Sequence, residues 1–176
     1  MSNQLVIAAL GQDRPGLVDK LSGWILDSGC NIADSRMMVL GGEFAVLLLV
    51  SGNWNSLAKL ESQLGQTEKQ LGMSISVKRT SKREQRGNLL PYAVDVVALD
   101  HPGIVHNLAG FFSRRSINIQ DLSTATYAAA HTGTMMFSVH MILDVPADTH
   151  IATLREEFLE FCDRLNLDAV IEPIKG

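Results

Sequence analysis

Two segments of the chain, GQDRPGLVDKLSGWILDSGCNIAD at residues 11–34 and ALDHPGIVHNLAGFFSRRSINIQD at residues 98–121, are copies of one pattern. At an offset of 87 they share nine identical residues in 24 positions, whereas ordinary residue usage would give roughly one or two by chance. The chain of 176 residues is therefore predicted to contain one structural unit twice.

The repeat continues beyond these segments at a larger offset. Leu57 corresponds to Ile151 and Leu71 to Leu165, an offset of 94. Because 94 exceeds 87 by seven, the second copy carries about seven extra residues between the two blocks. We expect them at residues 127–133, in a longer hairpin tip.

Each copy has the same predicted order of elements. The predicted strands cover residues 5–10, 31–40 and 43–50 with a closing strand at Ile75 and Val77, then residues 93–99, 118–127, 134–143 and 169–171. Pro15 and Pro102 are expected to open the first helix of each copy, since proline suits the first helical position. Leucines 57–71 and their counterparts 151–165 mark the second helices, and Trp24 and Trp54 are expected to anchor helices on the sheets. This order, βαββαβ twice, predicts an α+β fold of two tandem ferredoxin-like units.

A basic segment separates the copies. Residues 78–88 contain five basic residues and one acidic residue, a net charge of +4 against −8 for the rest of the chain. We assign residues 1–79 and 92–176 to the two domains and residues 80–91 to a solvated linker. A contact for an acidic partner or for nucleic acid is the alternative interpretation of this segment.

The composition is typical of a soluble globular protein. Hydrophobic residues make up 46% and charged residues 19%, and no apolar run reaches the roughly 18 residues of a membrane span. The net charge of −4 argues against a protein built chiefly to hold nucleic acid. Because the sequence begins without a basic signal region and has two cysteines, Cys30 and Cys162, we expect a cytoplasmic protein.

The repeated Asp-x-Pro-Gly-[Leu/Ile]-Val block lies where a strand leads into a helix. A helix N-terminus presents unpaired N–H groups and a partial positive charge, which suit a carboxylate. Gly16 and Gly103 lack a Cβ, so that a ligand can approach the backbone. Asp13 and Asp100 could accept hydrogen bonds from an ammonium group.

Asn31 and Asn118 open the next strand of each copy and offer both a donor and an acceptor. Together with the preceding block they suit a free α-amino acid. In the alternative interpretation, Asp13 and Asp100 cap the helices and the two asparagines close turns. Both interpretations remain open at this level.

The same residues resemble a known family signature. Asp13-Arg14-Pro15-Gly16-Leu17-Val18 followed by Cys30-Asn31-Ile32-Ala33 is similar to the signature of ACT domains, and Asp100-His101-Pro102-Gly103-Ile104-Val105 with Ile117-Asn118-Ile119 repeats it. ACT domains are ferredoxin-like modules that bind small amino acids and regulate metabolic enzymes and transcription.

The resemblance implies a ligand held where ACT domains pair, within one chain or in a homodimer. The residues it implies for ligand binding are Asp13, Arg14, Pro15, Gly16, Leu17, Asn31 and Ile32 at one site, and Asp100, His101, Pro102, Gly103, Ile104, Asn118 and Ile119 at the other. Amino-acid-binding members often have asparagine at the positions of Asp13 and Asp100. Arg14 could reach a carboxylate directly, whereas His101 could do so only when protonated, so we expect unequal sites.

A free-standing pair of ACT domains resembles the transcriptional repressors of the glycine cleavage system. This resemblance implies a regulator that binds a transcriptional activator of LysR type, with glycine as the effector. No Ser-His-Asp order, phosphate-binding loop or metal-ligand spacing stands out, so we expect no enzyme, no cofactor and no metal. The alternatives are an ACT-type interaction module without a ligand, or a protein that binds nucleic acid directly through the basic linker.

Overall fold

The computed structural model of the chain describes residues 3–81 and 87–174. They divide into two compact units, the first within residues 1–84 and the second within residues 85–176. Each unit is an antiparallel four-stranded sheet with helices. The predicted α+β fold of two tandem ferredoxin-like units is confirmed.

The first unit has four strands and three helices. They are β1 (Asn3–Gln12), α1 (Leu17–Asp27), β2 (Asn31–Leu40), β3 (Glu43–Gly52), α2 (Trp54–Ser62), α3 (Leu64–Leu71) and β4 (Met73–Thr80). The strand order in the sheet is β2-β3-β1-β4. The turn between β2 and β3 is the predicted Gly41-Gly42 pair.

The second unit repeats this plan with the order β6-β7-β5-β8. Its elements are β5 (Leu89–Leu99), α4 (Ile104–Ser113), β6 (Asn118–Ala128), β7 (Met135–Pro146), α5 (Ile151–Arg164) and β8 (Asp168–Pro173). Leu5 pairs with Val50, and the equivalent Tyr92 pairs with Leu143, so the offset is 87 for the first strand and 93 for the hairpin's second strand. Six of the seven extra residues of the second unit therefore lie in its longer hairpin, as expected. Since the offset is 94 at the helix that follows, the seventh extra residue lies between β7 and α5.

Alternation along the strands places one face of each sheet in a core. In the first unit, Leu5 and Ile7 of β1 and Leu48 of β3 are buried against Leu21 of α1 and Leu57 of α2. The second unit has its own core, in which Phe111 and Phe112 of α4 contact Phe158 of α5. Each unit therefore buries a hydrophobic core of its own.

The first helices begin two residues later than expected. Leu17 and Ile104 are their first residues, and Gly16 and Gly103 are the N-caps. Pro15 and its counterpart therefore precede the cap instead of occupying the first helical position. The reason is that the chain reaches the helix through a left-handed residue, with φ of 89° at Gly16 and 95° at Gly103.

The second helix of the first unit also differs from the prediction. It is broken at Gln63, which ends α2 and caps α3. Trp24 is buried as expected, whereas Trp54 is 62% exposed at the start of α2, so its predicted anchoring role is wrong. Instead, the Arg79 guanidinium lies 5.6 Å from the centre of its ring.

The strands extend into the segment assigned to the linker. β4 continues to Thr80 and β5 starts at Leu89. Residues 82–86, which carry much of the predicted basic charge, lie outside the described residues. Within the described ranges, none of the helices has the length and apolarity needed to cross a membrane.

Candidate functional site

The repeated motif forms a loop between the first strand and first helix of each unit, residues 13–16 and 100–103. The Asp13 N–H donates to the Gly42 carbonyl over 3.1 Å, and the Asp100 N–H donates to the Met135 carbonyl over 3.0 Å. Both bonds extend the pairing of the central strand with the hairpin beside it. The two loops are therefore held in the same way in the two units.

The glycine of each loop starts the helix. The Gly16 carbonyl accepts the N–H of Lys20, and the Gly103 carbonyl accepts that of Asn107. Neither helix has a side-chain cap hydrogen bond, so the interpretation of the loop aspartates as caps is wrong. The first N–H groups of both helices keep the anion-binding character expected of a helix N-terminus.

The residues at the second loop position differ in their contacts. The Arg14 guanidinium donates to the carbonyl of Leu71, the last residue of α3, where a cation complements the helix dipole. His101 Nδ1 lies 3.1 Å from the carbonyl oxygen of Pro102. Arg14, expected to reach a ligand carboxylate, is thus engaged within its own unit.

Two of the implied ligand residues are core residues. Leu17 is 3% exposed and Ile104 is 2% exposed. Their side chains pack in the cores, so the main chains of these two residues are what a ligand could contact. Pro15 and Pro102, by contrast, lie exposed in the loops.

The strand register separates the loop aspartate from the asparagine of the same unit. Gln12, next to Asp13, pairs with Glu43, whereas Asn31 pairs with Ser51. These two positions are eight residues apart along β3, which corresponds to about 26 Å. Asp13 and Asn31 therefore lie at opposite ends of the sheet, and one unit by itself does not bring them into one pocket.

The second unit has the same separation. Leu99, beside Asp100, pairs with Met136, whereas Asn118 pairs with Asp144. The Asn118 side-chain N–H donates to Asp144 Oδ2 over 3.1 Å. Both asparagines are the first residues of strands, as predicted from the sequence.

The isoleucines that follow the asparagines pack toward the cores. Ile32 and Ile119 are half-buried, and a register shift follows each of them, between residues 32 and 34 and between residues 119 and 121. The sequence-predicted residues thus form two groups per unit, one at the loop and one at the strand start. The sequence missed the partners of these groups, Gly42, Leu71 and Asp144, since no local pattern links residues so far apart.

Cys30 precedes the strand-start group but lacks the properties of a nucleophile. Its side chain is buried, and desolvation raises the pKa of its thiol while Lys59 partly opposes this shift. A thiol with a raised pKa is a poor nucleophile, because the thiolate is the reactive form. Among the described residues, no three His, Cys, Asp or Glu side chains cluster as a metal-binding group.

Both units match models of one domain family. Residues 3–78 match the model of the ACT domain, and residues 94–157 match the model of the AHAS small subunit-like ACT domain. The two units are therefore ACT domains, which agrees with their sheet order and with the repeated loop.

Full-length relatives extend this assignment to the whole chain. The glycine cleavage system transcriptional repressor of Escherichia coli K12 is 32% identical over 170 residues, which cover 97% of this chain and 90% of that protein. A crystal structure assigned to a glycine cleavage system transcriptional repressor has a TM-score of 0.74 at 28% identity and covers 100% of this chain and 99% of its own. An unknown protein from Galdieria sulphuraria has a TM-score of 0.80 at 26% identity, with 99% and 100% coverage. The chain belongs to the family of glycine cleavage system transcriptional repressors.

Proposed function

We propose that this protein is a non-enzymatic regulator that senses a small amino acid, with glycine as the effector. In this proposal it acts in the cytoplasm and represses glycine cleavage genes by binding a transcriptional activator of LysR type. Family membership supports the regulatory role. The observation that carries the sensing role is the doubled loop, in which an aspartate precedes a helix N-terminus without a side-chain cap.

The loop offers groups that complement a zwitterion. The helix N–H groups after Gly16 and Gly103 suit the ligand carboxylate, and the carboxylates of Asp13 and Asp100 suit its ammonium group. Both aspartates are exposed, and glycine keeps each loop free of a side chain at the helix start. A small ligand that bears both charges fits this arrangement better than a purely anionic ligand, which the aspartates would repel.

The asparagine groups at the other end of each sheet form the second part of the proposal. Asn31 and Asn118 each carry a donor and an acceptor, and Asn118 already pairs with Asp144. We assign these asparagines a role in amino-acid binding. Within each unit this role is separate from that of the loop. Substitution at the loop and at the strand start therefore tests two independent contributions.

Calorimetric titration with glycine, serine, alanine and the branched-chain amino acids tests the sensing role. We expect a saturable signal for glycine that is lost in the double variant Asp13→Ala/Asp100→Ala, because the ammonium partners are removed. Asp148→Ala is the matched control, since Asp148 is an exposed aspartate in the loop between β7 and α5. A silent titration across the panel, or unchanged glycine affinity in the double variant, would refute the proposed site.

A second experiment tests the route to transcription. Purified protein, a LysR-type activator and the DNA that this activator binds are combined in a mobility-shift assay, with and without glycine. We expect a shift that needs the activator and responds to glycine. Retention of DNA by this protein alone would support direct nucleic-acid binding instead.

A further inference from the structure

Each sheet covers its core with one face, and the opposite face, which we call the outer face, is turned away from the helices. In the first unit the middle of the outer face is apolar. Ala8 and Leu10 of β1 lie there beside Leu47 and Ala45 of β3, and the two leucines are 52% and 53% exposed. The four residues line a depression of about 520 Å³. Exposed apolar areas of this kind mark interaction sites.

The second unit shows that the fold does not require an apolar outer face. By the strand register, Ala8 corresponds to Asp95 and Leu47 to His140. His140 Nδ1 lies 2.6 Å from Asp95 Oδ1, and both side chains are exposed. The apolar residues at the same two positions of the first unit are therefore not explained by the folding of that unit.

Large and small side chains alternate on the outer face of the first unit. Leu47 of β3 pairs with Ala8 of β1, and Leu10 of β1 pairs with Ala45 of β3, so the leucine changes strand from one pair to the next. A two-fold axis parallel to the strands, between β1 and β3, would set β1 of one copy against β3 of another. Each leucine would then face an alanine of the partner, which makes the outer face complementary to itself.

Charged residues at the borders of the outer face fit the same axis. The register puts Asp34 of β2 and Lys78 of β4 at one level, on either side of the pair Val6 and Leu49. The parallel axis sets β2 against the partner's β4, so each Asp34 carboxylate faces the partner's Lys78 ammonium group. Within the described residues Asp34 Oδ1 accepts from Arg36 over 2.6 Å, which leaves Oδ2 for a second cation.

A two-fold axis across the strands fits these charges less well. Placed between the two leucine–alanine pairs, such an axis also sets leucine against alanine. However, it stacks Arg36 on the partner's Met38 and Asp34 on the partner's Leu40. Charged groups would then lose water without gaining a partner of opposite charge, which costs free energy. The charges therefore favour the parallel axis.

The outer face of the second unit is not complementary to itself. Asp121 and Glu172 stand at the positions of Asp34 and Lys78. The same axis would therefore set two carboxylates against each other, and like charges oppose association. The self-complementary pattern belongs to the first unit.

We infer that the outer face of the first unit binds the same face of a second copy of this chain, about a two-fold axis parallel to the strands. The inference goes beyond the proposed function, since it depends neither on the amino acid nor on the activator that the protein binds. A closed two-fold dimer uses one patch on both copies. Stacked sheets lie about 10 Å apart, and the alanines leave room for the partner's leucines at that distance.

The size of the outer face fits a small specific interface. Four strands spaced by about 4.8 Å are about 19 Å wide, and the eight residues of β4 extend about 27 Å. The projected area is therefore about 500 Å², and the side chains that project from this plane add to the accessible area. Stable interfaces bury about 600 Å² or more on each partner. We therefore expect a dimer in equilibrium with the monomer.

Sedimentation velocity over a range of protein concentrations measures this equilibrium. We expect the parent to approach twice the chain mass of 19.2 kDa as the concentration rises. Ala8→Asp/Leu47→His introduces the pair that the second unit carries at these positions. It should weaken dimerisation about a hundredfold, because the interface would then bury charge. Leu26→His, at a leucine that is 72% exposed on α1, is the matched control and should dimerise like the parent. Circular dichroism checks folding.

Two charge reversals test the axis, even if the double variant does not fold. Lys78→Glu sets a second carboxylate against Asp34, and Asp34→Lys sets a second ammonium group against Lys78. Each variant should therefore dimerise about tenfold more weakly than the parent. Mixed in equal amounts, the two variants should form a heterodimer of about parental affinity, because both charge pairs regain opposite signs. Lys20→Glu, at an exposed lysine of α1, is the matched control and should leave dimerisation unchanged.

The inference is overturned if the parent stays monomeric at every concentration, since the outer face would then serve a different protein or be covered within the same chain. It is also overturned if the dimer persists in Ala8→Asp/Leu47→His, because the copies would then meet through another surface. Charge variants that fail to associate when mixed would refute the parallel axis.

Discussion

Gly16 and Gly103 adopt the same left-handed conformation at equivalent positions. From the sequence, we interpreted these glycines as giving a ligand access to the backbone. The structure adds a second reason for glycine at these positions, which is backbone conformation. A Cβ built at Gly16 would meet no atom within 4 Å, so backbone conformation, and not lack of space, requires glycine there. Enlarging either residue therefore alters the backbone as well as any ligand contact.

Gly16→Ala and Gly103→Ala should each lower the free energy of unfolding by about 1–2 kcal/mol, because an L-residue is strained at positive φ. Urea unfolding followed by circular dichroism measures this change. Gly65→Ala in α3 is the matched control. It has ordinary helical φ and open space around a Cβ, and should instead gain about 0.5–1 kcal/mol. Equal losses at all three positions would contradict the conformational explanation.

At the scale of elements, the hairpins were predictable and the second helix of the first unit was not. Gly41-Gly42 between two apolar runs is a strong turn signal, and β2 and β3 meet there. The leucine spacing predicted which face of the second helix is buried, but it carried no signal for the break at Gln63. That residue pairs with Ser28, 35 positions away, and a contact of this range is not visible in a local pattern.

The last helix, α5, contains a thiol whose titration affects stability. Burial, with a contribution from Asp163, raises the pKa of Cys162 to about 12. Because this folded-state pKa lies above the unfolded value, the thiol stabilises the fold below about pH 8.5. That contribution is lost as pH rises toward 12.

Unfolding free energy should therefore fall above pH 9, by at most about 1.4 kcal/mol per pH unit from this one group. Urea unfolding at pH 7, 9 and 10 measures the decline. In Cys162→Ala the decline should be shallower, although the variant is less stable at pH 7 because a buried side chain is truncated. An identical decline in both proteins would contradict the role of this thiol.

For the whole molecule, the duplicated sequence predicted where the two loops lie along the chain. Which site residues lie close together in space could be seen only from the three-dimensional path of the chain. From the sequence, we grouped Asp13 and Asn31 because together they suit a free amino acid. The helix between them, α1, has 11 residues and spans about 16 Å, so it returns the chain to the other end of the sheet before β2 begins. Helix length and antiparallel pairing, rather than residue type, decide which groups meet.

The two loops also predict how glycine binds to the full chain. Arg14 adds a permanent charge to the first loop, whereas His101 is charged only when protonated. We expect two glycine molecules per chain with different affinities. Calorimetric stoichiometry should fall to one in Asp13→Ala and to one in Asp100→Ala, with different remaining affinities. Loss of both binding events after a single substitution would contradict independent loops.

The order of strands in each sheet has a consequence for biosynthesis. β1 leaves the ribosome first but occupies the interior of its sheet, between β3 and β4, and so it must wait for partners made later. Its last partner ends at Thr80, before any strand of the second unit has been translated. Since N-terminal domains generally fold first during synthesis, the first unit can complete its sheet while the ribosome is still making the second. Two similar sequences joined in tandem thereby have less opportunity to exchange strands during folding.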